Sequence, residues 1–295
     1  SGLKRLTGSN YIERTVIKAI KNDIAIYAAH TNLDNVKNGV NNAIADQLGL
    51  INRKILAPKR GILKKLYTYI PVKDREMLLN ALFAAGAGHI GHYSECSFSS
   101  DGQGTFNADD AAQPLIGKKG IRHTEQESKI EVIFPEYLET KILRALREAH
   151  PYDEVAYEII RLENSYQDVG SGLIGELEND MDARAFLLLL KERMQADCVR
   201  HTALSDKPIR RVALCGGAGS FLLNQAISCG ADIFITADFK YHQFFDADNQ
   251  IVIADIGHYE SEQYTSQLFN KIISENFPTF AVRISSINTN PIKYL

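Results

Sequence analysis

Apolar positions along this chain keep two different rhythms, and the rhythm divides it into a first segment, a middle and a last segment. In NYIERTVIKAIKN, Ile12, Val16, Ile17 and Ile20 stand at helical spacing, which predicts an amphipathic helix. DIAIYAAH follows and reads as a buried strand, and GVNNAIADQLGL reads as a second amphipathic helix closed by a glycine. The last segment alternates in the same way. Its short apolar runs VAL (212–214), IFIT (233–236) and IVIAD (251–255) are separated by helical patterns. Such alternation predicts α/β units, a sheet covered by helices.

The middle repeats itself. YTYIPVKDREMLLNALFAAGAGHIGHY (67–93) matches EVIFPEYLETKILRALREAHPYDEVAY (131–157) at a constant offset of 64 residues. The offset pairs Pro71 with Pro135, Leu79 with Leu143, Leu82 with Leu146, Ala85 with Ala149 and Tyr93 with Tyr157. Each copy reads as strand, proline at the strand exit, helix and second strand, with His89 to Tyr93 on the second strand of the first copy. Two such units make a ferredoxin-like α+β domain. The expected plan is therefore an α/β core domain interrupted by an inserted α+β domain. The core takes residues 1–60 and 166–295, and the insertion takes 61–165, entering near Gly61 and leaving near Asn164. SYQDVGSGLIGELEND, rich in glycine, is expected to turn the chain back into the core.

Bulk properties narrow the function. A length of 295 residues exceeds one typical core. A formal net charge of −3 gives no electrostatic footprint for nucleic acid. The six basic residues of NRKILAPKRGILKK (52–65) read as a solvated linker and helix surface. Cys96, Cys198, Cys215 and Cys229 show no CxxC spacing, so a reducing, cytoplasmic setting is expected rather than a disulfide framework. Neither a membrane span nor a secretory leader is expected.

Two histidine–carboxylate pairs then stand out. His258 and Glu262 lie four residues apart just after IVIAD and a glycine, and His30 and Asp34 have the same spacing after IAIYAA. On a helix each pair shares one face. Open α/β sheets place ligands at the carboxyl ends of their strands, and imidazole with carboxylate suits zinc, manganese or iron. The plainer reading is an exposed His258 with Glu262 answering a helix dipole. GHIGHYSEC offers His89, His92, Glu95 and Cys96, but strand alternation would send neighbours to opposite faces. CGGAGSFLL could hold an anion or form a tight turn, and ADFKYHQFF offers Asp238, Lys240 and His242. No Gly-x-Ser-x-Gly elbow or paired cysteine nucleophile is seen, so covalent catalysis is not expected.

Taken in order, IYAAHTNLD, GHIGHYSECSF followed by GQGTF, AHPYDEVAY, VALCGGAGS, ITADFKYH and IADIGHYESE resemble the GTP cyclohydrolase 1 type 2 homologue family, also called the Nif-three-like proteins. The resemblance runs over essentially the whole chain. It is to the long bacterial form, whose insertion is similar to the PII and CutA-like proteins. It implies two divalent metal ions per subunit and a toroidal homohexamer. It also implies metal ligands at Asp34, His258 and Glu262, with Glu262 touching both ions and His30 beside them. Two further ligands would come from a His-His-Pro run just before a segment like SGLKRLTG, where this sequence begins. The expected activity is metal-dependent hydrolysis at a carbon of a purine-like or other heterocyclic small molecule, with His242 or His30 moving a proton. The alternative is a metal-binding regulatory or metal-delivery protein whose PII-like insertion senses a ligand. Neither a membrane nor a nucleic acid is an expected partner.

Overall fold

The computed structural model describes residues 3–204 and 206–295. In chain order the elements begin α1 (Tyr11–Lys21), α2 (Thr31–Asp34), α3 (Val40–Gln47), β1 (Ile51–Arg60), β2 (Leu63–Pro71), α4 (Arg75–Ala84), β3 (Ser97–Phe106), β4 (His123–Pro135), α5 (Glu139–Ala149) and β5 (Tyr157–Arg161). They continue β6 (Ser165–Met181), α6 (Ala183–Arg193), β7 (Arg200–His201), β8 (Ile209–Ala218), α7 (Leu223–Ser228), β9 (Ile233–Ala237), β10 (Val252–Asp255), α8 (His258–Glu262) and α9 (Thr265–Asn276). The fold is mixed α/β with two sheets, one of order β1-β6-β8-β9-β10-β7 and one of order β3-β4-β2-β5. The chain forms two compact units, Ser1–Asn52 with Gly175–Leu295, and Arg53–Ile174. Among the described residues no helix is long and apolar enough to cross a membrane.

In the first unit β8, β9 and β10 run parallel, with Val252 to Asp255 beside Ile233 to Thr236, and Val212 to Leu214 beside Ile233 to Ile235. Parallel strands covered on both faces read as unbroken apolar runs, and all of Val252 to Asp255 and Ile233 to Ala237 are buried. That is why VAL, IFIT and IVIAD are legible as strands. The short β7 closes the edge antiparallel to β10. Helix α1 is capped by Asn10, whose side chain accepts from the Glu13 N–H. Glu13 reaches back to the N–H groups of Thr7 and Ser9 and to the Thr7 hydroxyl. These bonds, the Thr7 hydroxyl first, hold its carboxyl down to about 2 although burial opposes them.

DIAIYAAH departs from expectation. Residues 24–29 pair with no strand among the described residues, and Ile24, Ile26 and Tyr27 are exposed. An apolar alternation shows what a segment is able to bury; it does not supply the partner.

The second unit contains the split βαβ arrangement. Strand β2 pairs antiparallel with β4 and β5, and β3 pairs antiparallel with β4. With helices α4 and α5 this is the βαββαβ, ferredoxin-like order. The repeat is faithful where it matters most. Pro71 and Pro135 end β2 and β4, and α4 and α5 begin at Arg75 and Glu139. Leu66, Ile70, Ile130, Val132 and Phe134 from the sheet pack with Leu78, Leu82, Ile142 and Leu146 from the helices.

Two expectations fail here. His89 to Tyr93 is no strand: Ile90 and Tyr93 form an isolated bridge, and the second strand of this copy is β3. Gly86, Gly88 and Gly91 all take positive φ and turn the chain first. SYQDVGSGLIGELEND holds no turn but forms most of the 17-residue β6. Its glycines serve close approach. A Cβ at Gly170 would lie 2.3 Å from the Ala57 carbonyl oxygen, and one at Gly175 would lie 3.1 Å from that of Ile51.

Candidate functional site

Segments leaving β8, β9 and β10 meet at one place in the first unit. The register of β8 shifts between Leu214 and Ala218, and Gly217 takes φ 63°. Its N–H donates to Ser261 Oγ (2.9 Å), and its carbonyl accepts from Thr236 Oγ1 (3.0 Å). A Cβ at Gly217 would stand 2.5 Å from Glu262 Oε1 and 3.4 Å from His258 Nε2. The glycine is therefore the floor on which these two side chains rest.

After β10, Gly257 turns the chain with φ 93° and donates to Asp255 Oδ1 at 3.1 Å. Asp255 is buried, accepts from the Phe239 N–H at 2.9 Å and pairs with Arg200. Helix α8 then carries His258 and Glu262 on one face, His258 Nε2 lying 3.4 Å from Glu262 Oε2. The other ring nitrogen, Nδ1, lies 2.6 Å from Asp238 Oδ2. Asp238 holds φ 59°, an uncommon backbone state for a residue other than glycine, directly after β9.

Asp34 ends α2. Its carbonyl accepts from Asn41 Nδ2 (2.8 Å), and Asn41 Oδ1 accepts from the Gly216 N–H (2.9 Å). Buried Asn41 thus ties the end of α2 to the end of β8.

The electrostatics join these groups. Burial raises the Asp34 carboxyl, against the pull of His30 and His258. Burial also raises Glu262; His258 opposes it and Asp34 adds to it. For His258, burial acts against the charged ring, but the Asp238 hydrogen bond with Glu262 and Asp34 outweighs it, and the imidazole is raised. Cys215, buried beneath, is pushed up to about 12 by burial and then by Asp34 and Glu262, so its thiol stays neutral.

Asp34 and Glu262 thus lie within reach of each other's charge and of both His258 and His30. His242 is exposed against the Tyr241 ring, on the 3-10 segment Tyr241–Ala247, outside that set. His89, His92 and Glu95 are exposed in a loop. Among the described residues no group of three or more His, Cys, Asp and Glu side chains is placed to hold a metal ion. Donor type and charge suit a divalent cation, while the number gathered falls short of a cage. Asn41 as a tether and Asp238 as the partner of His258 escaped sequence reasoning, because these contacts span 175 and 20 residues and leave no periodic trace. The glycine pair of CGGAGS was a visible signal for the first of them alone, since Asn41 lands on the Gly216 N–H.

The Duf34/NIF3 (NGG1p interacting factor 3) family model matches residues 1–291. The GTP cyclohydrolase 1 type 2 homolog of Bacillus subtilis is 38% identical over 298 residues, covering 99% of this chain and 80% of that protein. The protein of the same name from Listeria monocytogenes is 37% identical, covering 95% and 77%. Among solved structures, a Bacillus cereus protein related to NIF3 superposes with TM-score 0.84 at 36% identity, over 100% of this chain and 80% of that one. A Staphylococcus aureus protein superposes with TM-score 0.73 at 27% identity, over 100% and 79%.

Proposed function

Because the chain belongs to the Duf34/NIF3 family, we propose that Asp34, His258 and Glu262 are this chain's share of a divalent-metal centre and that the protein is a metal-dependent hydrolase. The observation that carries the reading is the pair of half-buried carboxylates, both raised, beside an imidazole oriented by Asp238. A cation between two such carboxylates relieves the repulsion that burial sharpens. Oxygen and imidazole donors suit zinc, manganese or iron. Three donors are fewer than the roughly four that zinc takes, so water or further side chains would have to complete the shell.

A bound ion would supply an acidified water and hold an oxyanion. The side chains do the rest. Glu262, with Oε1 over Gly217 and Oε2 beside His258 Nε2, is the carboxylate that would be shared if two ions bind. His258 offers only Nε2, since Asp238 holds Nδ1. His30, whose charge reaches both carboxylates, is assigned the proton in preference to His242.

The name carried by the relatives directs the substrate search to GTP. Metal-loaded protein should release formate from GTP. Metal occupancy with no turnover of GTP or a nucleotide panel would instead support a regulatory or metal-delivery role. For that second reading the βαββαβ order is the relevant observation, since it supports a PII- or CutA-like insertion, taken as residues 61–165, as a ligand sensor. Assembly into a toroidal hexamer rests on the family alone, and a stable monomer in light scattering would refute it. A cytoplasmic setting is supported by Cys96, Cys198, Cys215 and Cys229, all free.

A further inference from the structure

The second unit holds a cavity of about 840 Å³ that the proposed metal chemistry does not use. It lies on the face of the four-stranded sheet opposite α4 and α5. Register fixes this: Ile130, Val132 and Phe134 of β4 enter the helix-covered core, so Glu127 and Lys129 point the other way. Gly102 of β3 lies directly across from Glu127, and Ser100 and Tyr69 lie across from Lys129. Further wall comes from the rest of β3 and from the segments 107–116 and 152–156, which are tied together where the Gln113 N–H donates to Asp153 Oδ2 at 3.2 Å.

Glu127 is the unusual member. It is only 9% exposed, and its Oε1 accepts from the Tyr152 hydroxyl at 2.9 Å. Among the described residues no donor reaches Oε2. That oxygen occupies the space above Gly104, where a Cβ would stand 1.9 Å from it. Since no side-chain oxygen is both fully buried and unpartnered among the described residues, Oε2 opens to the cavity. The surroundings carry the same sign. Asp109, Asp153 and Glu154 border the cavity, and the one cation lining it among the described residues, Lys129, is already paired with Glu131 at 3.2 Å. Phe106, Tyr152, Leu115 and Ile116 supply apolar and aromatic walls.

We propose that this cavity binds a small organic cation, an ammonium, amidinium or guanidinium on a flat or apolar body, with its N–H groups on Glu127 Oε2. The size falls within the few hundred to about 1,000 Å³ of small-molecule sites. Other ligand classes fail on the same observations. An anion meets carboxylates, a purely apolar molecule leaves Oε2 without a donor, and a bare metal ion finds no gathered donor set. The inference is independent of the metal-centre reading.

The test uses the full chain with benzamidine, benzamide and benzoate, followed by calorimetry and saturation-transfer NMR. Benzamidine should bind at least about tenfold more tightly than benzamide, because its hydrogen bonds to Glu127 are charge-assisted, and benzoate should not bind. Glu127→Gln keeps the shape and the acceptor for Tyr152, and should reduce benzamidine to the level of benzamide. Gly104→Ala, whose added methyl displaces the carboxylate, should weaken benzamidine in the same way and covers the case in which the first variant melts early. Absence of benzamidine binding, equal binding of benzamidine and benzamide, or undiminished binding by folded Glu127→Gln would each overturn the proposal.

Discussion

His30–Asp34 and His258–Glu262 share a spacing and a place after an apolar run, yet they are held very differently. His258 follows the fully buried β10, its ring is oriented by Asp238, and Glu262 stands on the Gly217 floor. His30 is exposed, follows an unpaired segment, and its ring makes no hydrogen bond among the described residues. Asp34 is steadied by one backbone contact with Asn41. Equal spacing therefore gives equal proximity but unequal preorganisation. The strand before the pair and the partners around it decide how firmly each side chain is aimed.

The contrast can be broken most strongly at Glu262. Glu262→Ala should lower zinc or manganese affinity in calorimetry by more than the roughly 10–100-fold of a supporting residue, and His258→Ala by less than Glu262→Ala. Should the two substitutions prove equal, Glu262 has no bridging role. Gly217→Ala comes next. It adds a methyl 2.5 Å from Glu262 Oε1 at a positive φ, and should cost about 1–3 kcal/mol in denaturant unfolding. Asp238→Asn should weaken metal binding by up to about 100-fold, the top of the supporting range, and His30→Ala by less. The reverse order would show the weakly held pair to be the better organised one.

A smaller effect lies in pH. Asp34, Glu262 and His258 are all raised in the fold from ordinary values of 3.8, 4.5 and 6.5, so the folded metal-free protein binds more protons than the unfolded chain. Their contribution is present below those values and is lost as pH rises through the folded ones. Hydrogen exchange around α8 should therefore quicken as pH rises after correction for intrinsic rates, and a divalent ion should abolish the trend.

His150 of the second unit has the opposite sign. Burial lowers it; its Nε2 lies 2.9 Å from the Tyr69 carbonyl oxygen, and its Nδ1 accepts from the Tyr152 N–H. Its contribution is present above its ordinary 6.5 and is lost as pH falls through the folded value, so the Tyr152 amide should lose protection on acidification. Parallel trends at the two places would remove the distinction.

Much of this was legible beforehand, for identifiable reasons. Strands β8, β9 and β10 announce themselves because burial on both faces demands unbroken apolar runs. The 64-residue offset survives because β2 with α4 and β4 with α5 bury equivalent faces of one core. The pairing of His258 with Glu262 follows from helical spacing alone. What stayed hidden depends on partners distant in the chain: the unpaired run 24–29, the loop at 89–95, the role of glycines along β6, and the contacts of Asn41 and Asp238.

Asn41 bears on the order of folding. Its side chain fastens Asp34, seven positions before it, to the amide of Gly216, 175 positions after it. A link of that span forms only once the intervening chain has been brought together, since closing so large a loop precedes any reward from the contact. The site is then among the last parts of the first unit to mature. Asn41→Ala should leave the refolding rate nearly unchanged and speed unfolding, the outcome expected if the tether forms after the transition state; equal slowing of refolding would refute that order.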